Sequence, residues 1–218
     1  HWKVENGVLT RVNDLGGVVS VAWSELYLDR TFENFEISFN IKAGYENAGW
    51  AGVMFGKTGK NSSFFFDGDG AYVSVQDASA KFWGTTVGNH TDAGNSAIAV
   101  SYDPYGWNTY KLKVFGGVGS RTAQLFINDM ETPLIENVKS VSPKDGYVCL
   151  FATGAEISFK DVHVRYLDET GMVIPYVGLE EIAISNKVQT ATVGDKLTLN
   201  VTLNPENATV GDLNFETS

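Results

Sequence analysis

The sequence predicts an all-β protein folded as a two-sheet antiparallel sandwich of the jelly-roll type. Polar and apolar residues alternate along many short segments, no amphipathic helix stands out, and clusters of glycine, asparagine and aspartate separate the segments. The chain has 23 glycines, and aromatic residues make up 12% of it. Tight turns need residues that tolerate positive φ, so this composition is typical of many short strands joined by turns.

The alternation is strongest in three segments. Residues 35–42 alternate without a break, as a strand with one buried face requires, and residues 71–76 and 110–114 do the same. Weaker patterns predict further strands at residues 7–12, 18–22, 49–55, 97–101, 122–128 and 147–152.

The last strand of this region changes phase along its length. Ile157 and Phe159 fall on one side of the alternation, and Val164 falls on the other. The slip lies at Lys160-Asp161, and a β-bulge produces a slip of one residue. We therefore expect one long strand over residues 156–167 with a bulge at this point.

The pattern changes again after Leu167. We predict a first domain at residues 1–167, a linker at residues 168–177 and an incomplete second domain at residues 178–218. The last segment holds three short strand patterns, at residues 179–185, 196–204 and 213–216, which are too few for an independent sandwich. It is either truncated or completed by a partner.

Charge and composition exclude several classes of protein. The formal net charge is −10, which repels phosphate backbones, so nucleic acid is not an expected partner. No run approaches the roughly 18 apolar residues of a membrane span, so no membrane insertion is expected. The only cysteine, Cys149, lies in an apolar run, and we expect a buried and unreactive thiol.

Four segments of the first domain, residues 2–9, 32–39, 106–114 and 157–164, carry a family pattern. With them the domain resembles a laminin-G-like, concanavalin-A-like jelly roll. Within that fold it is most similar to the family 66 carbohydrate-binding modules, which bind fructans and are attached to bacterial glycoside hydrolases. The resemblance implies a secreted, multimodular protein, outside the cell or at its surface, with an attached catalytic domain. It departs from the family at Phe55-Gly56, where Phe-Arg is common.

The second segment carries a pattern of its own. The turn Val193-Gly194-Asp195 is followed by Leu203-Asn204-Pro205-Glu206-Asn207-Ala208-Thr209. With these motifs the segment resembles the first half of a bacterial immunoglobulin-like group 2 domain. The resemblance implies a spacer or adhesion module.

Catalytic patterns are not found in the sequence. Glycoside hydrolases need two carboxylates across the scissile bond, and jelly-roll glucanases set them on one strand as Glu-x-Asp-x-x-Glu, a run that does not occur here. There is no Gly-x-Ser-x-Gly nucleophile elbow, and none of the three histidines has a second histidine or cysteine at ligand spacing. We therefore expect a non-catalytic module, with a jelly-roll glycoside hydrolase or lyase, and a protein-binding adhesin, as the alternatives.

Carbohydrate recognition is the function that the loops favour. Sugars present an apolar C–H face and a belt of hydroxyls, so a site needs exposed rings together with carboxylates and amides. We expect an extracellular polysaccharide or glycan as the partner, and Trp107 to pack in the core as part of the fold pattern. The candidate binding residues are Tyr45, Glu46, Asn47 and Trp50 in one loop, Tyr72 and Gln76 on one strand, and Trp83 at the start of a loop that holds Asn89, His90, Thr91 and Asp92.

Structural calcium is the one cofactor that the sequence allows. Asp67-Gly68-Asp69-Gly70 places two hard oxygen ligands one residue apart, a pattern compatible with a calcium turn and also with a plain hairpin turn. Asp161 is a further candidate ligand, because a bulge exposes backbone carbonyl groups.

Overall fold

A computed structural model describes residues 2–12, 24–42, 51–60, 70–76, 79–86, 89–92, 98–99, 103, 105–136, 145–152, 156–184 and 201–206. The chain divides into two compact units, His1–Val173 and Ile174–Ser218. The described residues form strands and turns, and no helix long and apolar enough to cross a membrane is found among them.

The first sheet has seven strands among the described residues. In their order across the sheet they are β1 (Trp2–Glu5), β2 (Val8–Arg11), β14 (Ser158–Tyr166), β4 (Phe35–Lys42), β10 (Asn108–Phe115), β11 (Thr122–Ile127) and β12 (Ile135–Glu136).

The second sheet packs against the first through one apolar core. Its order is β3 (Ser24–Phe32), β13 (Gly146–Ala152), β5 (Ala51–Lys57), β6 (Ala71–Gln76), β7 (Ser79–Thr86) and β8 (Asn89–Asp92), with β9 (Ile98–Ala99) paired to β7. Neighbouring strands in both sheets pair antiparallel, so the predicted all-β jelly-roll sandwich is confirmed.

The centre of the core is built on β4. Its residues Phe35, Ile37, Phe39 and Ile41 are buried between the sheets, and each contributes about 2 kcal/mol by leaving water. The ring of Phe39 stacks on Tyr110 with their centroids 4.5 Å apart. The Tyr110 hydroxyl, 3.3 Å from the carbonyl oxygen of Val73, donates a hydrogen bond that joins the two sheets, and burial raises the pKa of Tyr110 well above its ordinary value.

The bulge predicted in the last strand is confirmed. The pairing of β14 with β4 shifts by one residue between Lys160 and His163, and Asp161 has a φ of 54°. The side-chain amide of Asn40 donates a hydrogen bond of 2.8 Å to the Asp161 carboxylate. The bulge therefore keeps Phe159 and Val164 on the core side although they are five residues apart in the chain.

Two expectations about local structure are wrong. Trp83 and residues 89–92 lie in strands rather than in a loop, because Gly84 pairs with Ala71 inside the sheet and Trp83 pairs with Tyr72. Trp107 is 38% exposed instead of packed in the core. The inward position next to it belongs to Asn108, which is buried and bonds the backbone of Asp103 through hydrogen bonds of 2.7 and 2.9 Å.

The second unit contributes one hairpin to the described residues. Its strands β15 (Glu181–Ile184) and β16 (Val201–Asn204) pair antiparallel, within two of the predicted strand segments. The predicted third strand, residues 213–216, lies outside the described residues, as does the strand predicted at residues 18–22. The immunoglobulin-like nature of this unit stays a prediction.

Shortening a core residue of β10 tests this packing. Leu112 is fully buried, so Leu112→Ala is expected to lower the free energy of unfolding by about 2–5 kcal/mol through lost burial and a cavity. Chemical denaturation followed by tryptophan fluorescence measures the loss. Val118 is 88% exposed, so the control Val118→Ala is expected to change the value by less than about 0.5 kcal/mol. Equal effects of the two changes would contradict the described core.

Candidate functional site

One line of paired residues crosses the second sheet from β3 to β8. On β5 and β13 it lies on the outer face of that sheet, because Val53 and Leu150, the neighbours of Met54 and Cys149, belong to the core and side chains alternate along a strand. We call this line the aromatic row. In order across the strands its members are Tyr27, Cys149, Met54, Tyr72, Trp83 and Asp92.

The aromatic row brings together two of the predicted binding residues. Tyr72 and Trp83 lie directly opposite each other on β6 and β7. Gln76 lies opposite Ser79, where the same hairpin turns, about 13 Å along the strand from Tyr72. The other predicted binding residues, Tyr45, Glu46, Asn47 and Trp50, lie outside the described residues, as do the predicted calcium ligands Asp67 and Asp69.

A charged cluster closes the β3 end of this face. The Lys57 side chain is fully buried, and its Nζ lies 3.7 Å from Oε2 of Glu25 and 5.8 Å from the ring centroid of Tyr27. The Tyr27 hydroxyl donates a hydrogen bond to the same carboxylate oxygen. A buried ammonium group is tolerated only when an opposite charge and hydrogen bonds compensate the loss of water, and Glu25 supplies that charge.

The backbone around β5 determines where Lys57 lies. The pairing of β13 with β5 shifts between Tyr147 and Cys149, so that Lys57 pairs with Tyr147 on the outer face. The two chains approach closely here, since a Cβ atom on Gly146 would lie 2.5 Å from the carbonyl oxygen of Lys57. Only glycine leaves room for that approach.

Apolar side chains occupy the middle of the same face, and they are buried from solvent. Met54, Cys149 and Phe151 are fully buried although they lie outside the core between the sheets. Burial raises the pKa of the Cys149 thiol well above its ordinary value, and the nearby Glu25 carboxylate acts in the same direction. The expectation of a buried Cys149 is confirmed.

The cluster of Glu25, Tyr27 and Lys57 was not predicted from the sequence. A signal was present in β3, where Glu25, Tyr27 and Asp29 alternate with two leucines. No local pattern, however, shows that β3 pairs with β13, which follows more than a hundred residues later. Lys57 lies two residues beyond the strand predicted at residues 49–55, because Gly56 and Gly59 interrupt the apolar pattern there.

The remaining calcium candidate, Asp161, lies on the first sheet. Its carboxylate accepts the hydrogen bond from Asn40, and the part of the chain that the structure describes has no group of three or more His, Cys, Asp or Glu residues able to hold a metal ion. The described residues around Asp161 therefore do not by themselves supply a calcium coordination sphere, which takes six to eight oxygens. Calcium stays a prediction.

Two antiparallel sheets around one core define a jelly-roll domain. The sequence model of the 3-keto-alpha-glucoside-1,2-lyase-like domain matches residues 1–165, and the chain belongs to that family. A search of curated proteins gave no match.

Solved structures share the fold. A family 66 carbohydrate-binding module from Bacillus subtilis is 16% identical with a TM-score of 0.56, and the match covers 75% of this chain and 90% of the module. A putative glycosyl hydrolase from Parabacteroides distasonis is 15% identical with a TM-score of 0.52, covering 76% of this chain and 90% of that chain. A legume lectin-like domain from Entamoeba histolytica is 12% identical with a TM-score of 0.52, and the match covers 76% of this chain and 87% of that domain. The resemblance to this jelly-roll group is confirmed at the level of the fold.

Thiol labelling tests the closed part of the face. Because Cys149 is buried and its pKa is raised, iodoacetamide is expected to leave it unmodified in the folded protein at mildly alkaline pH and to modify it fully in concentrated guanidinium chloride. Mass spectrometry after a short incubation measures the modification. The control is Val118→Cys, whose new thiol lies at an exposed position and is expected to react at once. Equal labelling of both thiols in the folded state would show that the face is open at Cys149.

Proposed function

We propose that the first unit is a carbohydrate-recognition domain whose site lies on the outer face of β6, β7 and β8. The observation that carries this proposal is the pairing of Tyr72 on β6 with Trp83 on β7. Directly opposite residues in an antiparallel pair have their Cβ atoms about 4.5–5.5 Å apart, a spacing at which two neighbouring rings would give a sugar one continuous platform.

The chemistry of the neighbouring positions fits the same ligand. A pyranose or furanose offers C–H groups to a ring and hydroxyls to polar groups around it. Asp92 pairs with Trp83 on one side, and the next row along the strands holds Ser74 opposite Lys81. Rings flanked by a carboxylate, a hydroxyl and an ammonium group are the mixture that sugar binding needs. The printed names of the family 66 module and the lectin-like domain point to the same class of ligand.

We also propose where this domain acts and what it is attached to. The domain acts outside the cell or at the cell surface, in a multimodular protein whose attached catalytic domain it holds near an extracellular polysaccharide. A second module on the same chain would strengthen weak binding at one site through a high effective concentration. The immunoglobulin-like residues 178–218 serve as a spacer in this arrangement, and structural calcium at Asp67, Asp69 or Asp161 belongs to the same proposal.

Replacement of the platform tests the binding site. A glycan-array screen that includes fructans first identifies the ligand class, and calorimetry then measures its affinity. Trp83→Ala is expected to weaken binding by at least about tenfold, because a central ring carries a large share of the contact energy. Trp83→Phe, which keeps a ring, is expected to retain most of the affinity.

The control for this experiment is Tyr176→Ala in the second unit, where the ring is 79% exposed. It removes an exposed ring of similar size and is expected to leave binding unchanged, and thermal unfolding of each variant checks the fold. An array without any bound glycan, or equal affinity of the Trp83→Ala variant and the unchanged protein, would overturn the proposal.

A lyase is the second candidate, and the family description favours it. A ketone at C3 of a glucoside acidifies the hydrogen at C2, so a general base can remove that proton. The C–H electron pair then forms the C1=C2 double bond, the bond from C1 to the glycosidic oxygen breaks, and the leaving group takes up a proton from water. Asp92 is the carboxylate that the register places beside the Trp83 platform, and it is the candidate base.

Turnover decides between the two candidates. The protein is incubated with p-nitrophenyl 3-keto-α-glucoside, and the release of nitrophenolate is followed by its absorbance. If the domain is a lyase, nitrophenolate is expected to be released, and the rate of release is expected to fall about a hundredfold or more in Asp92→Asn because the base is lost. The control Glu131→Gln changes an exposed carboxylate elsewhere and is expected to leave any release unchanged. Binding of glycan without release supports the recognition domain alone.

A further inference from the structure

The outer face of the first sheet carries a concentration of positive charge. On β4, β10 and β14 the basic side chains alternate with core residues such as Ile41, Leu112 and Phe159, and so they share this outer face. We call it the basic face. Its members are Lys42, Lys111, Lys113, Lys160 and Arg165, together with Trp107 before the first residue of β10.

Carboxylates neutralise only part of this charge. Glu36 forms an ion pair with Arg165, with a hydrogen bond of 3.0 Å from Nε, and Asp161 accepts its hydrogen bond from Asn40. Within the described residues, no ion pair joins a carboxylate to Lys42, Lys111, Lys113 or Lys160. Four ammonium groups therefore lie on one face of a chain whose net charge is −10, and that of Lys111 donates a hydrogen bond to the carbonyl oxygen of Met130.

Two of these lysines share one aromatic ring. The Nζ atoms of Lys160 and Lys42 lie 4.4 and 5.5 Å from the centroid of Trp107, which is 38% exposed. A ring attracts each ammonium group, but the two positive charges repel each other. An anion between them would relieve that repulsion while the ring stays available to an apolar surface.

The other two lysines continue the pattern along β10. The residues of this strand that face outward after Trp107 are Thr109, Lys111, Lys113 and Phe115, and the stretch from Thr109 to Phe115 is about 20 Å long. Lys111 lies over the Phe126 ring, 3.9 Å from its centroid, and Lys113 lies 5.4 Å from that of Phe115. Burial lowers the pKa of Lys111, the Glu36 carboxylate raises it, the charges of Lys113 and Arg165 lower it, and Asp129 raises it, so charges of both signs act on this ammonium group.

We propose that the basic face binds an acidic polysaccharide, with its carboxylate or sulfate groups paired to Lys42, Lys160, Lys111 and Lys113 and one sugar ring on Trp107. Trp107 lies between Lys42 and Lys160, so one sugar can offer its C–H face to the ring while its anionic groups pair with the lysines, whereas the net charge of −10 opposes a densely charged nucleic acid. This site lies on the opposite sheet from the Trp83 platform and does not depend on the function proposed there.

The test uses polygalacturonate and its fully methyl-esterified form, which have the same backbone and differ in charge. Affinity electrophoresis of the full chain is expected to show retardation by polygalacturonate that weakens as salt is added, and none by the ester. The double variant Lys42→Gln/Lys160→Gln is expected to bind about tenfold more weakly, since two exposed ion pairs contribute about that much together. Trp107→Ala is expected to weaken binding as well.

The matched control is Lys60→Gln, which removes one lysine that pairs with Asp29 on β3 and is expected to leave retardation unchanged. Equal retardation by the ester, or unchanged retardation of the double variant, would overturn the proposal. Retardation by single-stranded poly-deoxythymidine as strong as by polygalacturonate would also overturn it, because the face would then bind any polyanion. Neutral glycans bound at the Trp83 platform are unaffected by these variants, so the two proposals fail separately.

Discussion

The alternation of β4 is the constraint on which the rest of the molecule depends. This strand lies in the middle of the first sheet, between β14 and β10, and every second side chain enters the core. A shift of one residue in its pairing would expose Phe35, Ile37, Phe39 and Ile41 together, at a cost of several kcal/mol. The same constraint holds Asn40 and Lys42 on the outer face. The core of this sheet and its surface chemistry are therefore positioned by one pattern.

The outer faces of the two sheets use charge in different ways. On the second sheet the ammonium group of Lys57 is withdrawn from water and compensated by Glu25, so it contributes little field outside the protein. On the first sheet the lysines around Trp107 keep contact with solvent and have no carboxylate partner among the described residues. The first arrangement stabilises a closed surface, whereas the second leaves a local positive potential on an acidic protein.

The alternation of polar and apolar residues was sufficient to predict a strand where one face of the strand is buried and the other is exposed to solvent. The bounds predicted for β4 and β6 agree with the structure, and the bulge near Asp161 was visible as a change of phase. Pattern gave less where burial depends on distant partners. Strands were predicted at residues 49–55 and 147–152, where β5 and β13 lie, but the burial of both faces of these strands follows only from the fold. Trp83 was placed in a loop because Gly84 follows it. For the candidate site, sequence identified the rings Tyr72 and Trp83, but their pairing across β6 and β7 emerges only from the fold.

The bulge of β14 also determines how this strand can change in length during evolution. The strand has one more residue than its partner between Lys160 and His163. Loss of Asp161 would let Val162 pair opposite Phe39 and would leave the register of every later residue unchanged. A relative shorter by one residue here would therefore be expected to lack the bulge while keeping the same sheet.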